Sequence, residues 1–244
     1  MKKLLVLFLL SSGVLATKAQ EVEFKMKLPL NQPYKAVTTM KMDVDGEQSM
    51  IMDMSTKSSI TATKFESPNY TFENVTDAVK VDMDAGMMTL SYDSENPSDD
   101  PTSAMMGAQF EKLIGKKMIM VTTDKGKLIS SEGIEGMDSA FDNLGMTATY
   151  PDKKVKPGDT WPSEADSKGV KTKANNKYIG KVAEGYQVET IGELFDEADK
   201  KIGSFTANYI VDSETFFTKS ATIKMDMEVE GQKVITDMVM TVTK

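Results

Sequence analysis

The chain is predicted to be mainly β. It should form a strongly curved antiparallel sheet or open half-barrel of about 10–12 strands, with one or two helices packed on it and two related halves. Three observations predict this. Most segments alternate apolar and polar residues with period two, the mark of strands with one buried face. Compact turn signals such as Asp124-Lys125-Gly126 and Glu184-Gly185 separate those segments. A methionine-rich hairpin pattern also occurs near each end of the chain. Its first copy is Met40-Lys41-Met42-Asp43-Val44-Asp45-Gly46 followed by Met50-Ile51-Met52-Asp53-Met54. Its second is Ile223-Lys224-Met225-Asp226-Met227-Glu228-Val229-Glu230-Gly231 followed by Asp237-Met238-Val239-Met240. The shared order is Lys-Met-Asp, an acidic residue with Gly at the turn, then Asp-Met, which suggests internal duplication.

The N-terminus comes first. Lys2-Lys3, the apolar run 4–10 and the small residues up to Ala19 have the form of a secretory signal peptide. Cleavage is expected after Ala19, with Gln20 as the alternative. The run is too short to span a bilayer as a helix, which takes ~20 residues. Residues 1–19 are therefore assigned to the signal peptide, and 20–244 to a single β-rich domain with pseudo-halves of about 20–149 and 150–244.

Alternation marks strands over 37–44 and 49–60, the first hairpin. Further strands are expected over 70–82 and 87–92, joined at Asp84-Ala85-Gly86, and over 117–123 and 127–131. Between them, Asp99 or Asp100 can cap a helix with Pro101 in its first turn. Met105, Ala108, Leu113 and Ile114 recur at helical spacing, and Gly115 can stop the helix. Residues 134–144 are a shorter helix candidate. The Lys- and Pro-rich stretch 150–158 is expected to join the two halves over one core. Beyond it a meander is expected over 178–182, 186–195, 204–211, 216–229 and 233–243, with 196–201 read as a loop, although 193–201 could form a short helix.

Parity tests the hairpins. In the second copy, a two-residue turn at Gly231-Gln232 would set Met225 opposite Met238, Ile223 opposite Met240, and Glu230 opposite Lys233. In the first, the same turn would put Met40 and Met42 on the other face from Met50, Met52 and Met54. An odd loop or a bulge is required there to gather the methionines.

Composition excludes much chemistry. The formal charge of −8 becomes −11 once Lys2, Lys3 and Lys18 leave with the signal peptide, and the chain has no arginine. Nucleic acid, which needs cationic side chains to neutralise phosphates, is a poor partner, and so is an anionic membrane surface. With no Cys and no His, disulfides, thiol nucleophiles, the Ser-His-Asp and Cys-His triads and the usual zinc sites are excluded. The absence of Cys also rules out lipid attachment of the bacterial lipoprotein kind. Acidic pairs such as Asp82 and Asp84 do not match a calcium loop, and no pair of carboxylates is singled out for hydrolysis. No catalytic residue, cofactor or metal is expected, and the chain is read as a non-enzyme. Trp161, the only tryptophan, is expected to anchor a turn against the core. Asp138-Ser139-Ala140 fits a short bacterial O-glycosylation pattern, and Asn74-Val75-Thr76 the N-glycosylation acceptor pattern.

The block Leu113-Ile114-Gly115-Lys116-Lys117, a strand, Asp124-Lys125-Gly126-Lys127-Leu128-Ile129 and Val155-Lys156-Pro157-Gly158-Asp159-Thr160-Trp161 resembles a domain-of-unknown-function family of exported β-rich proteins of Gram-negative bacteria. That family brings no catalytic residues with it. The overall plan also looks like the periplasmic lipoprotein-carrier class of folds.

Three readings attach to the methionine stripes. They can pack a core, since alternate strand residues share a face and Met fills irregular space. They can line an adaptable apolar cavity, with Met40, Met42, Met52, Met54, Met225 and Met238 as the ligand-binding residues beneath a helical lid. They can also supply thioethers to cuprous copper. Met50, Met52 and Met54, however, stand ~7 Å apart along their strand and would need partners across strands. The expected function is a non-enzymatic periplasmic or secreted carrier for a lipid-like small molecule, or a module binding an envelope protein. The alternative is a structural or protein-interaction domain with a filled core.

Overall fold

The computed structural model describes residues 21–46, 49–86, 88–132, 148–167, 169–229 and 231–244. Its strands are β1 (Pro33–Asp45), β2 (Met50–Glu66), β3 (Asn69–Asp84), β4 (Thr89–Asp93), β5 (Lys117–Thr123), β6 (Leu128–Glu132), β7 (Thr160–Ser167), β8 (Val170–Val182), β9 (Gly185–Phe195), β10 (Lys201–Val211), β11 (Thr218–Val229) and β12 (Gln232–Thr243), with α1 (Pro101–Phe110) between β4 and β5. All twelve strands belong to one sheet in the order β6-β5-β3-β2-β1-β12-β11-β10-β9-β8-β7, with β4 added to β3. Every pairing between strands is antiparallel. Two meanders therefore meet at the β1–β12 pair, and the sheet curls nearly into a barrel with one seam. The closure is more complete than an open half-barrel.

The predicted alternation decides the faces. Along β11 the residues Ala221, Ile223, Met225 and Met227 are buried, while Thr222, Lys224, Asp226 and Glu228 face out. In the first hairpin five residues separate the opposed Val44 and Met50. This is the odd loop that parity required, and it puts Met40, Met42, Met50, Met52 and Met54 on one face. The second hairpin differs from expectation in register. Val229 is opposite Gln232, so the turn comes one residue earlier than expected, and Gly231 in it has φ 78°. Met225 then faces Thr236, Ile223 faces Met238, and Lys233 stands opposite Glu228 while its ammonium meets the Asp226 carboxylate at 3.2 Å. The slide is by two residues, so the buried faces are unchanged. Gly231 supplies the left-handed conformation that such a two-residue turn needs.

β7 and the first half of β8 were not foreseen. Their inner face mixes Trp161, Val170 and Ala174 with a polar cluster: Asn176, 2% exposed, accepts from the Thr190 hydroxyl at 2.7 Å and donates to Ser163 Oγ at 2.9 Å. A hydrogen-bonded inner ladder erases the hydrophobic alternation from which strands are read. Pro162 is tolerated because β7 is an edge strand. Loop 196–201 is as predicted for 196–200, with Asp196 accepting from the Ala198 and Lys200 amides, but Lys201 already opens β10.

α1 starts as expected. The Asp100 carboxylate accepts the Ser103 amide at 2.8 Å, and Pro101 is the first helical residue. The helix stops at Phe110, four residues short of the predicted end. Ile114 instead bridges to Thr76 beside β3. The second helix candidate, 134–144, and Ser139 lie outside the described residues.

One end of the barrel is plugged. Residues 21–28 alternate, and Val22, Phe24, Met26 and Leu28 are buried. They do not form a sheet strand; they run across the barrel end. Val22 exchanges both backbone hydrogen bonds with Val155, the Met26 amide donates to Asp124 O, and the Lys27 amide donates to Thr215 O. Lys25 pairs with the Asp124 carboxylate at 3.0 Å, and Lys125 Nζ donates to Phe24 O at 2.7 Å. Phe24 is fully buried and meets Tyr150, Trp161, Tyr178, Tyr186 and Phe216 with ring centroids 5.2–6.3 Å apart. Trp161 anchors this end as expected, its indole N–H donating to Thr149 O at 2.8 Å. We call this the aromatic end. The opposite end carries the tips of both methionine hairpins.

Candidate functional site

The candidate site is the inner face near the methionine end. Strand pairing orders its side chains into rows. Met238 of β12, Met40 of β1, Met54 of β2 and Val81 of β3 lie opposite one another in turn. The adjacent row is Met225 (β11), Thr236 (β12), Met42 (β1), Met52 (β2) and Met83 (β3). All six predicted binding residues therefore share one continuous surface across four neighbouring strands. They differ in burial. Met225 is 6% exposed and belongs to the core, whereas Met40, Met42, Met52, Met54 and Met238 are only half-buried.

The surface divides into two environments. Met42, Met50 and Met238 pack against the main core, which continues to the aromatic end. Met52, Met54 and Met83 pack against a second cluster of Val79, Val81, Leu90, Tyr92 and Met106, with Phe110 and Ile114 at its margin. Met106 and Phe110 come from α1, which lies on the inner face over β4. The Phe110 and Tyr92 rings stack with centroids 5.8 Å apart. Gly107 of this helix has a packing role: a Cβ there would come within 3.1 Å of the Tyr92 ring. Thr236, 1% exposed, has no hydrogen-bond partner for its hydroxyl among the methionines, and Asn74 Oδ1 is buried without a partner. The sequence drew attention to Asn74 only as a glycosylation acceptor and to Thr236 not at all, because a single Thr in an alternating strand carries no signal of its own.

Charged groups stay off this surface. Lys41, Asp43 and Asp53 alternate onto the outer face, where a groove of about 370 Å³ is lined in part by Lys41, Asp53, Lys80, Asp82 and Asp237. Lys224 pairs there with Asp237 at 3.2 Å. Among the described residues no three His, Cys, Asp or Glu side chains converge as a metal site. No described helix is long and apolar enough to cross a membrane.

A second concavity, of about 320 Å³, lies at the aromatic end between Tyr34, Asp212, Phe217, Thr218, Lys219 and Val242. The Tyr34 and Thr218 hydroxyls in its wall are buried without partners. Burial and the nearby Asp212 carboxylate push the Tyr34 phenol above its ordinary pKa. Asp212 itself is held below the ordinary carboxylate value, because hydrogen bonds from Thr215 and Glu214 outweigh the opposing effect of burial.

The fold has a solved counterpart. A lipovitellin structure, titled for lipid–protein interactions, superposes with a TM-score of 0.51 at 10% identity over 87% of this chain. The chain spans only 25% of that lipovitellin chain. A DUF1329 family protein from Desulfovibrio piger gives a TM-score of 0.32 at 11% identity, covering 85% of this chain and 83% of the other. A domain named for outer membrane lipoprotein sorting, from Vibrio parahaemolyticus, gives 0.29 at 12% identity, covering 85% of each chain. No curated protein matches the chain in sequence. Residues 67–147, a third of the chain, match a family of unknown function (DUF6263); the match takes in the helix–strand–Gly-turn block and stops before Val155–Trp161.

Proposed function

We propose that the protein is a non-enzymatic binding or carrier module of the cell envelope for an apolar, lipid-like ligand, held against the methionine rows of its inner face. The observation that carries this reading is the contrast between the two ends. At the aromatic end Phe24 and its aromatic neighbours fill the interior, leaving a concavity of about 320 Å³ beside Tyr34 and Asp212. At the methionine end Met40, Met42, Met52, Met54 and Met238 face inward and remain half-exposed. An interior meant only to be filled gains by burying such side chains, each worth about 1.5–3 kcal/mol when fully covered. Unbranched thioethers can repack around acyl chains of different length, which suits a mixed ligand population. Likeness in fold to lipovitellin, whose printed title concerns lipid–protein interactions, agrees with this reading. The signal-peptide pattern of residues 1–19 supports a location in the periplasm or outside the cell.

Native mass spectrometry of protein purified from its own envelope tests the proposal, together with fluorescent-lipid binding at micromolar protein. Co-purifying lipid mass and saturable binding are expected. Ligand-free mass with no binding would leave the filled-core structural or protein-interaction domain as the better reading.

A further inference from the structure

Strand register gathers thioethers that the sequence alone leaves strung along a strand. Met52 and Met54 are ~7 Å apart on β2, too far to share one ion. On the inner face, however, Met40 and Met42 of β1 stand directly opposite Met54 and Met52. Met238 flanks Met40 on one side, and Met83 flanks Met52 on the other. Directly opposed Cβ atoms are ~4.5–5.5 Å apart, so the four central residues outline a rectangle of about 5 by 7 Å whose centre is about 4 Å from each Cβ. Each sulfur sits two bonds beyond its Cβ on an unbranched, freely rotating arm and can swing toward that centre.

The chemical surroundings favour one class of ligand. All four side chains are half-buried, sheltered yet reachable. Lys41, Asp43 and Asp53 point away on the outer face, so a hard cation finds no oxygen donors in the rectangle. With no His or Cys in the chain, no imidazole or thiolate elsewhere competes for a soft ion. Neutral thioethers select soft, low-charge cations, cuprous copper foremost. We propose that Met40, Met42, Met52 and Met54 form a thioether site for Cu(I), with Ag(I) as its redox-inert substitute. The site goes beyond the apolar-carrier reading and does not depend on it.

Anaerobic titration of the purified protein with Cu(I) held as its bicinchoninate complex tests the site. Transfer of one equivalent is expected, with a sulfur-only first shell by X-ray absorption. The variant carrying Met40→Leu, Met42→Leu, Met52→Leu and Met54→Leu should lose more than about tenfold in affinity. Met118→Leu and Met240→Leu should bind as the parent does. Leucine keeps the apolar volume; if the fourfold variant loses its β circular dichroism, the pairs M40L/M54L and M42L/M52L carry the same comparison. No transfer to the parent, undiminished affinity in folded leucine variants, or nitrogen and oxygen in the first shell would each overturn the proposal. Fluorescent-lipid binding by the parent protein without copper reads the carrier separately.

Discussion

At the scale of single residues, Asp212 holds the loop that seals the aromatic end. Its Oδ1 accepts from the Glu214 amide at 3.1 Å, the Thr215 amide at 2.8 Å and the Thr215 hydroxyl at 2.9 Å. The loop so fixed presents Thr215 O to the Lys27 amide, tying the plug to the sheet. Burial would raise the Asp212 pKa, but these donors together bring it below 3.8. A carboxyl whose pKa is lower folded than unfolded contributes stability at pH values well above 3.8, and loses it as pH falls through the lower folded value. Asp212→Asn should therefore cost about 1 kcal/mol near neutrality, and the gap from the parent should close as pH drops below that of the free carboxyl. Urea unfolding at a series of pH values measures this; a gap independent of pH would count against the charge. Gly192 makes a second residue-scale case. It is opposite both Phe205 and Ala174, and a Cβ there would overlap the Phe205 ring. Gly192→Val should destabilise by about 1–3 kcal/mol through overpacking. Phe205→Ala in the same chain should recover part of that loss, which a double-mutant cycle on unfolding free energies would show.

At the scale of elements, the plug 21–28 contributes more than any hairpin tip. Phe24 is fully buried and contacts five aromatic rings, so Phe24→Ala should cost about 3–5 kcal/mol. Met40→Leu, a volume-conserving change on a half-buried position, should cost less than about 1.5 kcal/mol. Chemical unfolding followed by the fluorescence of Trp161, which sits in the same aromatic cluster, would rank the two; equal costs would deny the plug its role. The plug also shows where sequence reading stops. Its alternation is plain in Val22, Phe24, Met26 and Leu28, but nothing local reveals that its backbone bonds go to Val155, Asp124 and Thr215, more than ninety residues away. The methionine hairpins were legible because their period and turn glycines act locally, and parity alone demanded the odd first loop. Register was less legible: either of two turn positions at Gly231 keeps the buried face, and only the backbone conformation of that glycine selects one. β7 was hidden for another reason, since Asn176, Thr190 and Ser163 satisfy one another on an inner face where apolar residues were expected.

At the scale of the whole molecule, the sheet closes around an interior filled by aromatic rings at one end and lined by half-buried methionines at the other. The methionine end is where α1 rests. This helix has ten residues and makes its packing through Met106 and Phe110 on the small cluster of Val79, Val81, Leu90 and Tyr92. β1, β2 and β12 are by contrast paired on both sides within the continuous sheet. An element held by few buried contacts opens at lower free energy than the global unfolding that releases central strands. Because α1, Met52 and Met54 pack on one apolar cluster, opening of the helix is the route by which a lipid-like ligand would reach the methionine rows. Backbone amides of residues 105–110 should exchange with deuterium faster than those of β1 in the free protein. Saturation with a fatty acid should slow them and leave β1 unchanged, because ligand and helix would then share one apolar surface. Ligand at a hundred times its dissociation constant should also stabilise the fold by about 2.7 kcal/mol. If the helix amides exchange as slowly as those of β1 before any ligand is added, α1 is part of the fixed core, and entry must be sought at the hairpin tips instead.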